Sequence, residues 1–277
     1  MNEETQPPAS HYVHGSTREE QARLGLMNDV LNAKCIAQLG LRGGEKVLDV
    51  GCGLGRFALE IARSGGAGTR VLGIERDQRQ LDAGRASGAG DAAFAQVELR
   101  RGDALELPLA AHEWGAFDLV WSRFLLEHVS DPQRAVDGML RALKPGGRIV
   151  LCDDDHDLLR LDPPLPRFMT VWKAYQQTYT AHGNDPLIGR RLPRLLHAAG
   201  AKLVRNDWIF FGACAGASDW RTVIDNCRGI LVGGREQIVA HVAPREFDAG
   251  IAEYDAWSQR GDASYWLPVA WAEGVRA

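Results

Sequence analysis

Three glycines spaced by single residues, Gly51, Gly53 and Gly55, follow the apolar run Val47-Leu48-Asp49-Val50. A strand ending in such a turn lets the backbone approach a ligand, because no Cβ intervenes. The helix that follows would offer unpaired N–H groups and a positive dipole end. Glu75 closes the next apolar run, Val71-Leu72-Gly73-Ile74, at the distance where an acid grips ribose hydroxyls. Two such charge-assisted bonds contribute on the order of 1.5–3 kcal/mol each when water is excluded. A dinucleotide fingerprint needs a third glycine where this chain has Arg56. That difference speaks against an NAD-dependent oxidoreductase without removing it. A cofactor-binding module that has lost catalysis is a second alternative.

Further acids and histidines follow later strand ends. Asp103-Ala104 comes after the third apolar run and can act as a turn cap or face a ligand. Ser122 and Arg123 end the fourth run, at the rim where open α/β sheets bind ligands. His128 follows them, either packed or acting as a base. Asp153-Asp154-Asp155-His156 ends the fifth run. Three acids and a histidine could hold a divalent ion, but no further ligand set is identifiable and no metal is expected. His156 and His182 join His128 as candidate bases.

Around these residues the chain alternates strand and helix. Strands are expected at Lys46–Val50, Arg70–Ile74, Val97–Arg100, Phe117–Trp121 and Arg148–Cys152. Helices are expected at Arg56–Ser64, Gln78–Ala86 and Pro132–Leu143. The rhythm implies a parallel sheet with right-handed crossovers. Lys144-Pro145-Gly146-Gly147 reads as the turn before the fifth strand. A helix from Thr17 to Leu39 precedes the core, stopped by Gly40 and Gly43-Gly44. The organisation is an N-terminal helical cap (1–40), a core (41–155), a helical insertion (156–189), and a completion of the sheet (190–277) with a second helical insertion at about 217–259. The late strands are expected at Lys202–Phe211 and Ser264–Trp271. Most of the insertion aromatics, Trp172, Tyr175, Tyr179, Trp220, Tyr254 and Trp257, are expected to form the insertions' own core.

At 277 residues, the chain can hold one large core with insertions. Its net charge of -4 gives no overall basic footprint for nucleic acid. No apolar run reaches the roughly 20 residues that cross a bilayer. Five scattered cysteines without a CxxC read as reduced thiols, so a cytoplasmic setting is expected. Asp162-Pro163-Pro164-Leu165 looks like an amino-methylation motif but lies after the fifth strand, and reads as a proline-rich entry to a helix.

The pattern Asp49-x-Gly51-x-Gly53-x-Gly55, with Glu75, Gly102-Asp103-Ala104 and Lys144-Pro145-Gly146-Gly147, resembles the class I S-adenosylmethionine-dependent methyltransferases. The layout is similar to their ubiquinone/menaquinone-biosynthesis and natural-product group. The resemblance covers residues 45 to about 155 and, more loosely, the two late strands. It implies a Rossmann-like α/β fold with a seven-stranded sheet, order 3-2-1-4-5-7-6, the seventh strand antiparallel, and helical lid insertions. It implies S-adenosyl-L-methionine as cofactor. Gly51, Cys52 and Gly53 would hold its methionine part, and Asp49 would orient the loop or the ammonium. Glu75 and Arg76 would meet the ribose, Asp103 and Ala104 the adenine, and Ser122 the rim of the site. Tyr12 would close over the sulfonium, a contact of about 0.5–2 kcal/mol. The implied reaction is methyl transfer to O, N or C of a small, partly hydrophobic molecule. A homodimer is compatible; nucleic-acid and membrane partners are not expected.

Overall fold

The computed structural model describes residues 30–277. Tyr12 and the first part of the expected N-terminal helix lie outside the described residues; residues 30–39 are helical (α1). Leu31, Cys35 and Leu39 are buried on one face of this helix, four residues apart, so it packs one stripe onto the core. Gly40, Gly43 and Gly44 all adopt positive φ after it, a conformation that ends a helix at little cost only for glycine.

The core alternates β1 (Lys46–Val50), α2 (Arg56–Gly65), β2 (Arg70–Glu75), α3 (Gln78–Gly88), β3 (Val97–Arg101), β4 (Phe117–Arg123), α4 (Pro132–Ala142) and β5 (Leu143–Asp153). Of the 11 residues in β1 and β2 (KVLDV and RVLGIE), eight are buried. Helices covering both faces of a parallel sheet require this. Asp77 and Asp131 cap α3 and α4 by accepting from backbone N–H groups. β5 starts earlier than the Lys144–Gly147 turn suggests, because Leu143 already pairs with Phe117 across an irregular register.

The late part of the chain supplies β6 (Arg160–Asp162), α5 (Pro166–Ala181), α6 (Leu192–Ala198), β7 (Lys202–Cys214), α7 (Trp220–Gly233), α8 (Arg235–Ile238), α9 (Pro244–Trp257) and β8 (Ser264–Val275). The sheet runs β3-β2-β1-β4-β5-β8, and β7 pairs with β8. This is the expected order, with the last strand antiparallel to β5 and β7. One strand is added. The short β6 pairs with residues 264–266 of β8, beyond the end of β5, so the described sheet has eight strands, not seven. The Asp162-Pro163-Pro164 stretch leads from β6 into α5, whose first helical position is Pro166.

α5 packs against α7, α8 and α9 to form a helical layer over the carboxyl ends of β4 and β5. Trp220, Tyr254 and Trp257 are buried within it, and Tyr254 stacks on Phe168 with ring centroids 4.5 Å apart. No helix among the described residues is long and apolar enough to cross a membrane.

α3 is seated on the glycine loop through Gly84. A Cβ there would lie 2.4 Å from the Leu54 carbonyl oxygen. Ala in place of Gly84 would gain up to about 1 kcal/mol of helix propensity. It would also push one backbone into another, an overpacking cost of about 1–3 kcal/mol. Gly84→Ala is expected to lower the Tm by several degrees, while Gly90→Ala, which meets open space, leaves it within about 1 °C. Equal Tm values in thermal denaturation would show the helix-to-loop contact to be slack.

Candidate active site

The glycine loop leaves β1 with Gly51, Gly53 and Gly55 at φ +78°, +54° and +68°. These values suit glycine and strain other residues. Two of the glycines also lack room. A Cβ on Gly51 would lie 3.0 Å from the Leu125 side chain, and one on Gly55 2.8 Å from Leu99. Glu75 organises the turn: Gly53 N–H donates to its Oε2 at 3.0 Å and Asp77 N–H to its Oε1 at 2.9 Å. Gly51 and Cys52 N–H groups donate to the Ile74 carbonyl. The loop is therefore held to the end of β2 by Glu75, Ile74 and the Gly84 contact.

Asp49 lies under this loop, 2% exposed, and its Oδ2 has no hydrogen-bond partner. Burial pushes its carboxyl up to about 7; nearby Arg123 opposes the shift and Glu75 adds to it. A buried carboxylate oxygen with no donor is costly, and a cationic group brought to the loop would relieve that cost. Burial, with Asp49 and Glu75 nearby, raises the Cys52 thiol. It stays a thiol. Arg76 is exposed one residue beyond Glu75. Asp103 is exposed at the end of β3 and accepts from Leu105 N–H at 2.9 Å. The turn-cap reading is thus realised, and it fixes Asp103 and Ala104 at the strand end. Ser122 is buried and donates to the Val50 carbonyl at 3.0 Å, tying β4 to β1.

A second group of residues gathers beside the loop. Phe124, at φ +52°, turns the chain sharply off β4, a strained geometry for a non-glycine residue, costing of order 1–3 kcal/mol. Asp153, at the end of β5, holds the turn: its Oδ2 accepts from Leu126 N–H at 2.8 Å and Leu125 N–H at 3.2 Å. These bonds fix the short helical turn Leu126–His128 and aim Glu127 inward. Asp155 turns the other way and pairs with Arg190, which donates to its Oδ1 at 2.7 Å. Gly189 packs on the backbone between them: a Cβ there would lie 2.8 Å from the Asp154 carbonyl oxygen. The four-residue run 153–156 is therefore divided, with Asp154 and His156 left facing Glu127.

Glu127 Oε2 lies 3.3 Å from His156 Nε2, and Glu127 Oε1 lies 3.4 Å from His128 Nε2. Asp154 Oδ2 is 3.9 Å from His156 Nε2. The His156 ring stacks on Tyr175 at 5.4 Å and meets the edge of Tyr179 at 5.0 Å. His128 stacks on Tyr179 at 5.5 Å. These groups border a cavity of about 80 Å³ that also reaches Phe124, Phe211 and Asn226. That is room for several waters or for the head of a small molecule. Trp172, Tyr175 and Tyr179 border it too, while remaining buried in one core cluster with Trp220, Tyr254 and Trp257. His182 lies elsewhere, exposed at the end of α5 with its Nδ1 2.6 Å from the Thr178 carbonyl oxygen. Glu127, which bridges the two histidines, was not singled out in the sequence. The available signal was an acid inside the apolar stretch Phe124–Val129, directly after a strand end.

Burial drives the titration of this cluster. It pushes Glu127 up to about 8 and Asp154 up to about 7, the latter helped by Glu127 and Asp155 and opposed by His156. It raises Asp153 well above the carboxylate range, with Glu127 adding to the effect. It lowers His156, which favours the neutral ring.

Residues 48–151 match the family model described as a methyltransferase domain. A demethylmenaquinone methyltransferase of Staphylococcus aureus is 33% identical over 146 residues, 53% of this chain and 56% of that protein. The chain spans about half the length of the curated relatives it matches. Among solved structures, a methyltransferase from Bacillus halodurans described as putative superposes with a TM-score of 0.58 at 19% identity, over 88% of this chain and 98% of that one. Geranyl diphosphate C-methyltransferase from Streptomyces coelicolor, in complex with Mg2+, geranyl diphosphate and S-adenosyl-L-homocysteine, gives 0.56 at 18% identity, over 99% and 86%. The [4+2]-cyclase SpnF gives 0.52 at 23% identity, over 93% and 84%. These matches support the resemblance to class I S-adenosylmethionine-dependent small-molecule methyltransferases: residues 48–151 match a methyltransferase domain, and the chain has the Rossmann-like fold of the solved neighbours.

Carboxyls raised in the folded state bind more protons there than in the unfolded chain. They stabilise the fold at pH values below their ordinary range, near 4, and lose that contribution as pH rises through 7 to 8. His156 acts oppositely, but only below about pH 6.5. The Tm of the ligand-free protein is therefore expected to fall between pH 6.5 and 8.5 by a few degrees. Glu127→Gln should flatten the slope. A Tm that rises across this range, measured by scanning calorimetry, would contradict the buried acid cluster.

Proposed function

We propose that this protein transfers a methyl group from S-adenosylmethionine to a small, partly hydrophobic molecule bound in the cavity beside the glycine loop. The observation that carries this reading is a shared edge. Gly51 of the loop held by Glu75 packs against Leu125, on the same turn after β4 that carries Glu127 into the acid-and-histidine cavity. A ligand on the loop and a molecule in the cavity would be neighbours.

The residues fit the cofactor's chemistry. Asp49 offers an unpartnered oxygen to the ammonium of the methionine part, and the left-handed glycines leave backbone room for its carboxylate. Glu75 would meet the ribose, and Asp103 with Ala104 the adenine. Bound there, the cofactor would supply a methyl group already activated on a positive sulfur, which a nucleophile takes by in-line displacement. The chain's own part is alignment, which can contribute about 7–11 kcal/mol, and removal of a proton where the nucleophile carries one. Glu127 is the base best supported by geometry, because it is buried, faces the cavity and is flanked by His128 and His156. A base so placed contributes roughly 100- to 10,000-fold. His128 and His156 would act as relays or as partners to Glu127.

The oxidoreductase alternative is disfavoured because Arg56, in place of the fingerprint's third glycine, is already the first residue of α2. An inactive binding module is disfavoured by the cavity, which leaves space next to the loop. The cyclase among the structural neighbours shows that this fold also hosts other chemistry, so the cofactor is tested first.

Calorimetric titration is expected to give micromolar binding of S-adenosylhomocysteine and none of NADH. Glu75→Ala should weaken the former by about 10- to 100-fold, the loss of one charge-assisted contact. NADH binding with no S-adenosylhomocysteine binding would move the protein to the oxidoreductases. Asp49→Asn is a second variant; it removes the negative charge while keeping the side chain's shape.

A further inference from the structure

The polar surface of the cavity is one-sided. Glu127 and Asp154 face it, with His156 between them and His128 beside the other oxygen of Glu127, and no Lys or Arg is among its described lining residues. Glu127 is 3% exposed, and one oxygen of each carboxylate, Glu127 Oε2 and Asp154 Oδ1, makes no hydrogen bond. About half of the remaining wall is aromatic, with Phe124, Trp172, Tyr175, Tyr179, Phe211 and Tyr265, and most of the rest is aliphatic. Two buried carboxylate oxygens without a compensating cation call for one, and aromatic faces attract a cation too.

From this lining we infer that the molecule methylated is a basic amine, seated as its ammonium between Glu127 and Asp154 and against the tyrosine and tryptophan rings. The inference rests on the methyltransferase reading and names its substrate class. An anionic substrate is disfavoured: a diphosphate such as the one bound by the structural neighbour would meet two carboxylates and no cation among the described lining residues. A metal ion is the rival occupant, since Glu127, Asp154 and His156 each present a ligand atom within 4.8 Å of one another. Metal-bound histidines ordinarily donate their second ring nitrogen to an acceptor, and His156 Nδ1 has none. The large aromatic share of the wall is also of no use to a metal.

The proton balance is simple. The positive charge of the bound ammonium keeps Glu127 ionised, and the ammonium then gives one proton to this carboxylate, which frees the nitrogen lone pair. The lone pair forms the new C–N bond as the S–C bond of the methyl donor breaks and its electrons go to sulfur. The product leaves as the methylated ammonium, with S-adenosylhomocysteine, and Glu127 returns its proton to solvent.

The test is binding by the full chain, without methyl donor, followed by calorimetry and by tryptophan fluorescence. The probes are phenethylamine and N,N-dimethylphenethylamine, with 2-phenylethanol as the neutral control, phenylacetate as the anionic control, and Mn2+ alone. The amines are expected to bind at least tenfold more tightly than the alcohol, and phenylacetate weakest. Glu127→Gln and Asp154→Asn, both near in shape, should each reduce the preference for amine over alcohol at least fivefold while the circular dichroism spectrum stays unchanged. Equal binding of amine and alcohol, or a preference for phenylacetate, would overturn the inference. So would micromolar Mn2+ binding that both variants abolish while the amines bind no better than the alcohol. S-adenosylhomocysteine is titrated into the same samples. If it binds and the amines do not, the amine assignment fails while the methyltransferase reading stands; if neither binds, both fail.

Discussion

Three buried carboxylates, Asp49, Glu127 and Asp153, and the half-buried Asp154 lie at or just beyond the carboxyl ends of β1, β4 and β5, and their desolvation constrains everything around them. A buried charge costs several kcal/mol unless it is paired, hydrogen-bonded or protonated. Each acid here meets that demand differently. Asp153 accepts backbone N–H groups from Leu125 and Leu126 and from Asp154. Glu127 has two histidines beside it. Asp154 and Asp49, like Glu127, each keep an oxygen without a hydrogen bond. Asp153 organises the protein; the other three mark the places where a ligand would complete it.

This division explains how the two halves of the site are joined. Asp153 shapes the turn that carries Glu127, and the same turn places Leu125 against Gly51. The glycine is needed there as much for Leu125 as for any cofactor, since its Cβ would lie 3.0 Å from that side chain. A change in the glycine loop would therefore reach Glu127 through a single layer of contact. The strained Phe124 sits at the junction, in keeping with the tendency of backbone strain to collect at functional sites.

The helical layer has two tasks. α7 and α9 bury Trp220, Tyr254 and Trp257 among themselves and α5, which gives the layer its own stability. α5 turns Trp172, Tyr175 and Tyr179 toward the acids. Trp172 is fixed by donating its indole N–H to the His156 carbonyl oxygen at 2.7 Å, and the hydroxyls of Tyr175 and Tyr179 meet at 2.9 Å. The rings that border the cavity are thus locked, so its shape is largely preorganised.

The alternation of strands and helices, the glycine loop and the acid that ends β2 were legible in the sequence because each is local; the strand order came from the family resemblance. Apolar runs, single-residue glycine spacing and a strand-end carboxylate are set by residues close together in the chain. β6 escaped because three residues carry no periodicity, and because their pairing partner, residues 264–266, is a hundred positions away. The acid cluster escaped for the same reason. The run Asp153-Asp154-Asp155-His156 reads as one group, but Arg190 withdraws Asp155 and the turn at Leu126 withdraws Asp153. Glu127 joins the remainder from another strand end. Apart from His128 its neighbours along the chain are apolar, and only the packing of β4 beside β5 brings it within 3.3 Å of His156. The sequence determined which edge of the sheet would hold chemistry, because parallel strands place their carboxyl ends together. Which side chains face each other across that edge was decided by tertiary contacts, because a carboxylate's partner and its degree of burial are properties of the assembled fold.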